Sequence, residues 1–471
     1  MNAGKFGCCL VLLLGTWAAA FPAERTVDIS GRVKLFTTAF LQNNQSGTFF
    51  AHKAGDFGMK RLETRLKLSG SVNDRLSFDL RFDAFSYSGD LITRDSFPES
   101  GFLGSPLFSE YGEWNIYEAK VKVSGFLLKN LDLTVGKQRI AWGTADKIGV
   151  LDNLNPIDFA NFFTFDPDYF AERRPQTALN FEYYFGTRAK LQFVWLLQSQ
   201  VSPMPYGYAS LAGKFFHLSA FTVDKAWDNS IRGTNYGARL SGKALNMDIA
   251  LSYYHGNSPL PVLTGLAVST RMQGHFFYPK MAVLGLDLSG EFKGIGFWGE
   301  AAWIMPEKTA GRLSMLLIND LTPLVFENAF PMFESGFGKY VFGLDYSFGA
   351  GFYANCQFLH GFFDEFDYSA RGQDSFSLRK GMFFGEISDY ILSRLEYKTA
   401  NEGFRAKAGF LYEIAGDAAS LTLLPEVEFR VADSLIIQAG AFTVVSGDQT
   451  RTKFGLFKKD KTAYLSLKLD F

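Results

Sequence analysis

Leu76-Ser77-Phe78-Asp79-Leu80-Arg81-Phe82-Asp83 alternates apolar and polar residues with period two, so an extended chain turns Leu76, Phe78, Leu80 and Phe82 to one face and Ser77, Asp79, Arg81 and Asp83 to the other. That is a strand with one greasy face and one wet one. The pattern returns at Tyr340, Phe342, Leu344, Tyr346 and Phe348. It returns again from Leu421 through Leu423, Val427, Phe429 and Val431, with Glu426, Glu428 and Arg430 on the other face. Pro425 is the one interruption there, because proline has no N–H for a ladder.

Extended over the chain, this reading predicts eighteen strands. They lie near 27–41, 59–72, 75–88, 113–126, 131–143, 174–186, 188–198, 234–245 and 247–256, and then near 276–291, 294–305, 339–349, 351–363, 384–398, 403–415, 420–431, 434–446 and 461–471. Each is long enough for the roughly 9–11 residues with which a tilted strand crosses hydrocarbon. Tight turns such as Asn73-Asp74, Lys129-Asn130, Gly186-Thr187 and Ala432-Asp433 alternate with long excursions. A soluble sandwich has no reason to collect its short turns at one end, whereas outer-membrane barrels keep short turns in the periplasm and long loops outside. The expected fold is therefore an all-β transmembrane antiparallel barrel of about 18 strands (16–18). Leu211 to Val223 also reads as strand-like, but counting it would reverse the alternation downstream, so it is assigned to an outer loop.

The two ends of the chain agree with this. Lys5, the apolar run Cys8 to Leu14 and the small residues Ala18, Ala19 and Ala20 make a three-part export signal, with cleavage expected after Ala20. Residues 1–20 are thus set aside and 21–471 read as one barrel domain. At the other end Ala463, Leu465, Leu467, Leu469 and Phe471 alternate with Tyr464, Ser466, Lys468 and Asp470. A terminal strand ending on an aromatic residue resembles the signal read by the barrel-assembly machinery, which becomes an expected partner along with outer-membrane lipid.

Composition narrows the remaining classes. The 50 Phe and 20 Tyr exceed the needs of an ordinary core and suit aromatic girdles at two interfaces. With 47 Lys and Arg against 48 Asp and Glu there is no net field to attract nucleic acid, and no such partner is expected. Cys8 and Cys9 leave with the signal, so Cys356 has no internal disulfide partner. The histidines at 52, 217, 255, 275 and 360 sit apart, without metal-site spacing or a nucleophile elbow, so no enzyme, metal or cofactor is expected.

The polar faces should line a lumen. Arg61, Glu63, Arg65 and Lys67, then Asp79, Arg81 and Asp83, then Glu118, Lys120 and Lys122 put both signs of charge on that wall, as solvated residues or cross-strand ion pairs. A barrel of this size has room for an aqueous channel. The phase slips in Val135-Gly136-Lys137-Gln138-Arg139-Ile140-Ala141-Trp142-Gly143, where Leu131, Leu133 and Val135 would send Lys137 and Arg139 to lipid; a bulge or a position above the membrane would relieve this.

That stretch, with Leu154-Asn155-Pro156-Ile157-Asp158, resembles the strand-then-loop signature of uncharacterised porin-like outer-membrane barrels related to alginate-export-type channels. The resemblance implies that the following loop, near 144–173, folds inward and narrows the pore. Asp146, Asp152 and Asp158 then meet Arg139, Arg173 and Arg174, either as opposed charged edges of a constriction or as ion pairs that pin the loop. The expected function is passive diffusion of small polar or anionic solutes. The alternatives are a conduit for hydrophobic molecules, docked on Phe162, Phe163, Phe165, Tyr169 and Phe170 or on Phe330, Met332, Phe333 and Phe337, and a plugged structural or adhesin barrel.

Overall fold

The computed structural model describes residues 26–45, 51–88, 113–159, 166–198, 201–202, 220–223, 235–268, 272–319, 322–331, 333, 335–367, 385–447 and 451–471. The expected export signal lies outside the described residues. The strands, in chain order, begin with β1 (Thr26–Phe40), β2 (Phe57–Asn73), β3 (Leu76–Ser88), β4 (Glu113–Val123), β5 (Leu131–Gln138), β6 (Gln176–Phe185), β7 (Ala189–Gln198) and β8 (Ala220–Val223). Next come β9 (Asn235–Ala244), β10 (Met247–Asn257), β11 (Val262–Val268), β12 (Met272–Phe277), β13 (Lys280–Phe292), β14 (Ile295–Pro306), β15 (Ala310–Asn319) and β16 (Thr322–Pro331). The last are β17 (Phe337–Gly349), β18 (Phe352–His360), β19 (Asp389–Lys398), β20 (Phe404–Ala415), β21 (Ala418–Ala432), β22 (Leu435–Gly447) and β23 (Thr462–Asp470).

Eighteen of them form one antiparallel sheet, and it closes: β1 pairs with β23 from Arg32↔Asp470 to Phe40↔Thr462. Each of the eighteen segments expected from the sequence is one of these barrel strands. At the seam Arg32 Nε donates to Asp470 Oδ1 at 2.7 Å, and Gly31 exchanges backbone hydrogen bonds with Phe471 at 2.7 and 3.0 Å. The other five strands make a separate sheet, ordered β16-β15-β11-β12-β8, from three different loops. Residues 220–223 of the ambiguous segment are its edge strand, so they do not enter the barrel.

Burial is inverted relative to a soluble protein. Leu35, Leu62, Leu251, Leu284, Phe342, Leu395 and Leu465 are exposed, while the alternate residues Lys34, Arg61, Glu63, Asp83, Asp287, Glu300 and Glu413 are buried. This is an outer-membrane-type barrel, greasy outside and polar within. Aromatic pairs band its short-turn end, among them Tyr183 with Phe185, Tyr346 with Phe348, Phe352 with Tyr397 and Phe404 with Phe429, at centroid distances of 4.9, 4.9, 4.8 and 5.0 Å.

The short turns sit at one end. Leu245-Asn246, Lys293-Gly294 and Ala350-Gly351 have positive φ at both residues, the left-handed conformation that matches the twist of a two-residue hairpin. The opposite end carries the long connections, with one exception: Gly416-Asp417 joins β20 to β21 in a tight turn.

Several strands are shorter than the sequence suggests. The segment placed at 131–143 ends at Gln138, and that placed at 384–398 begins only at Asp389. Both are cut by the chain turning away from the wall to other acceptors, Ser388 N–H for instance donating to Glu365 at 3.0 Å. The phase slip near Lys137 is also resolved. Its ammonium reaches the Ile116 carbonyl at 2.7 Å, and the chain leaves the sheet one residue later.

Gly136 permits this turn: its φ is 125°, and a Cβ there would lie 2.1 Å from the Ala119 carbonyl oxygen. Gly136→Ala should therefore cost about 1–3 kcal/mol. The check is the temperature at which the folded band is lost in unheated-versus-heated electrophoresis; the variant should unfold at a lower temperature than the parent.

Candidate functional site

The connection from β5 to β6 touches β1, β2, β7, β14, β18 and β23, strands from all around the ring, and so lies in the lumen. A backbone inserted there leaves the sheet ladder and needs other acceptors for its N–H groups. Glu300 of β14 accepts from four of them. Its Oε1 accepts from Thr144 and Ala145 at 2.6 and 2.7 Å, and its Oε2 from Val150 and Leu151 at 2.8 and 3.3 Å. Gly143 and Gly149 make the approach possible, since a Cβ on either would meet that carboxylate at 2.2 and 2.8 Å.

Gln357 of β18 adds a second grip, accepting from Asp146 N–H at 3.3 Å and donating to the Ile148 carbonyl at 3.1 Å. Trp142 donates to Gln192 of β7 at 2.9 Å and packs where Gly237 has no side chain. Behind these bonds Ile140, Trp142, Ile148, Val150, Leu151, Leu154, Ile157 and Phe159 bury against Val194, Tyr254, Val283, Ile304 and Val341 of the wall. Apolar burial of this kind is worth about 1.5–3 kcal/mol per side chain. The lumen thus holds a packed plug.

The other limb of the loop is held by charge at the barrel seam. Lys34 of β1 contacts both Asp166 oxygens at 2.8 and 2.7 Å and Asp168 at 2.6 Å; Lys468 of β23 reaches Asp168 at 2.7 Å. Arg61 of β2 donates to Asp166, and its guanidinium lies 4.4 Å from the centre of the Tyr169 ring. Burial alone would push the Asp168 carboxyl up, but Lys34 and Lys468 hold it well below the usual carboxylate range.

The residues singled out from the sequence fall into two groups. In the loop, Arg139 lies 3.6 Å from Glu172, Asp158 pairs with Arg174 at 2.8 Å, and Asp152 faces Arg173 at 3.9 Å. Burial pushes the Asp152 carboxyl up, with Arg173 opposing. Asp146 stands apart, 3.9 Å from Arg394 of β19. These contacts tie the loop to itself and to the wall. Along the wall Arg65 grips Asp83 at 2.9 and 3.0 Å, Arg81 approaches the same carboxylate at 3.4 Å, Lys120 lies 3.8 Å from Asp79, and Lys122 pairs with Asp132 at 2.8 Å.

Glu300, Gln357, Asp166, Asp168, Lys34 and Lys468 were not among the expected residues. Of the apolar loop residues named for the hydrophobic-conduit alternative, Tyr169, Phe333 and Phe337 are buried; Phe162, Phe163, Phe165 and Met332 lie outside the described residues, as does the side chain of Phe330.

A second segment enters between β22 and β23. Glu413 of β20 accepts from the N–H groups of Lys453 and Phe454 at 2.6 and 2.9 Å, as Glu300 does for the first loop. The Lys453 ammonium is set between Asp364 and Glu365. Between the two inserted segments and strands β18 to β23 a cavity of about 220 Å³ remains. Ile148, Phe170, Leu392, Leu411, Leu424, Phe442 and Phe454 give it apolar walls, and Asp146, Lys147, Arg394, Lys407 and Glu426 its charges. Among the described residues no group of three His, Cys, Asp or Glu is placed to hold a metal ion.

A family model described as "Protein of unknown function (DUF1302)" matches residues 123–456. No curated protein sequence matches the chain. Among solved structures it is similar to OccAB3 of Acinetobacter baumannii, at 11% identity over 96% of this chain and 100% of that one with a TM-score of 0.47. It is similar also to Wzi of Escherichia coli, a carbohydrate-binding outer-membrane barrel, at 11% identity over 94% and 84% with a TM-score of 0.47. Salmonella typhi OmpF matches at 8% identity over 94% and 97% with a TM-score of 0.43. The barrel assignment itself rests on the closed hydrogen-bond ladder.

Glu300→Ala would leave four N–H groups without their acceptor, at about 1–3 kcal/mol for each that stays buried. The plug should loosen, and planar-bilayer recordings should show a larger, noisier conductance than the parent. A carboxyl depressed in the folded state stabilises fully above the ordinary carboxylate range and loses that contribution only as pH falls through its lowered value. Asp168 should therefore hold the plug on acidification, with no rise in conductance between pH 7 and pH 5.

Proposed function

Because the chain belongs to the DUF1302 family of proteins of unknown function, the site itself has to indicate the activity, and we propose a restricted outer-membrane channel for a small molecule with an apolar body and an anionic group. The observation that carries this reading is the cavity beside the plug. Its walls are mainly aliphatic and aromatic, and its three cations, Lys147, Arg394 and Lys407, outnumber its two carboxylates, Asp146 and Glu426. At about 220 Å³ it lies below the roughly 300–1,000 Å³ of drug-sized ligand sites, which favours a small solute.

In this reading the short turns face the periplasm and the long loops the exterior, after export and removal of residues 1–20, with Phe471 ending the strand presented to the assembly machinery. Lipid and the solute are the partners, and no chemical step is catalysed. The kinship with alginate-export-type channels is part of the proposal and is supported by the stretch Val135–Asp158. Diffusion of small polar solutes is the second reading, favoured by the charged wall of Arg65, Asp83, Arg81, Asp79 and Lys120.

Octanoate, titrated calorimetrically into the protein in nanodiscs with empty nanodiscs as reference, tests the proposal. The protein should bind it, octanol should bind at least tenfold more weakly, and both Lys407→Gln and the cavity-filling Leu411→Trp should weaken octanoate binding at least tenfold. No octanoate binding together with a large ohmic current would overturn it in favour of polar diffusion.

A further inference from the structure

The barrel wall lacks one ladder hydrogen bond at the cavity, with the register unchanged on either side of it. Along β21 and β22 the ladder pairs Leu423 with Thr443 and Glu426 with Gly440, and skips Leu424 and Pro425 between them. The cause is chemical, since Pro425 has no N–H to give its neighbour. On its other side the strand pairs without a break, Pro425 opposite Ala408 and Leu424 opposite Gly409. Pro425 is the central residue of β21, and so stands at mid-wall, far from the rims where an interruption would be of little consequence.

Two hollows meet there. The inner cavity is lined not only by inward residues but also by Pro425 and Ala441, which belong to the outward-facing set. On the outside a groove runs from Phe348, Phe352 and Leu395 to the same two residues. Small side chains keep the wall thin where the hollows touch, Ala408 and Ala441 outside and Gly409 and Gly440 within the ladder. On the inner side Glu426, next to Pro425, accepts from Lys407 of β20 and, across β22, from the Tyr464 hydroxyl of β23, at 2.6 Å each, so the second bond spans the gap and breaks when it opens. Lys407 lies on the β20 side and stays with Glu426 when that bond breaks, so the carboxylate keeps its ion partner as the gap opens.

We propose that the cavity exchanges its occupant sideways with the membrane through the wall between β21 and β22 at Pro425. An apolar body would pass between the strands into lipid, which spares it the aqueous exit at the short-turn end. The proposal rests on the reading of the cavity given above and adds the route.

Two variants test it. Pro425→Ala restores the missing donor and should close the ladder; Ala441→Trp fills the outer groove. The measurements are octanoate binding in nanodiscs and uptake of radiolabelled octanoate by Gram-negative cells that carry the protein in an intact outer membrane, with folding checked by heat-modifiable mobility. Because both residues also line the cavity, each variant's uptake is read against its own octanoate binding, and uptake should fall at least fivefold further than binding does. Parental uptake by both folded variants would overturn the lateral route and leave the cavity reading in place. Absence of octanoate binding by the parent itself would overturn the cavity reading and this one together. Should Pro425→Ala fail to fold, Ala441→Trp decides alone.

Discussion

The ladder between β1 and β23 is the constraint on which the rest of the molecule depends. A backbone surrounded by hydrocarbon cannot leave its N–H and C=O groups without partners, and an antiparallel sheet meets that demand only when its first and last strands find each other. Once closed, the sheet can expose Leu35, Leu62 and Leu465 at no cost in lipid and turn Lys34, Arg61 and Lys468 into a shared interior. That Lys34 and Lys468 belong to the two strands of the seam, and Arg61 to the next strand, is informative. The closure that creates the interior also assembles the basic cluster that receives Asp166 and Asp168.

The same accounting explains the plug. A chain entering the lumen loses the ladder and has to be satisfied by side chains, and the wall answers twice with a glutamate, Glu300 for residues 144–151 and Glu413 for residues 453–454. A carboxylate suits this task because it only accepts, with two oxygens that can each serve two donors. Apolar side chains of the loop then fill what remains, so the interior reads as a polar wall around an apolar core. The cavity beside the plug is lined by both.

Much of the barrel was legible in the sequence because its signal is local and repeated. Period-two alternation in segments such as Leu76–Asp83 and Tyr340–Phe348 marks each strand by itself, and the alternation of short and long connections fixes the direction of each. Strand ends were less legible, because where a strand stops depends on acceptors far away in sequence, as Glu365 is for Ser388. The inward loop was read through a resemblance, yet its principal anchors were missed. Glu300 is one of many inward carboxylates, and only Gly143 and Gly149, spaced to admit it, hinted at its role. Asp166 and Asp168 lay within the stretch considered, but their partners sit on strands at opposite ends of the chain. Pro425 reads in the sequence as an interruption of a pattern, and its position beside a cavity required the fold.

The small sheet of β8, β11, β12, β15 and β16 draws its strands from three loops that the barrel separates in sequence. Two of its contacts are parallel pairings, β11 with β15 and β12 with β8, which no single hairpin can make. The hairpins β11–β12 and β15–β16 can form locally, but the two parallel joins between loops can meet only after the strands beneath them have taken their places in the ring. Those joins therefore follow the closing of the ring, and a lesion in the middle loop, which supplies β11 and β12, is felt in the other two.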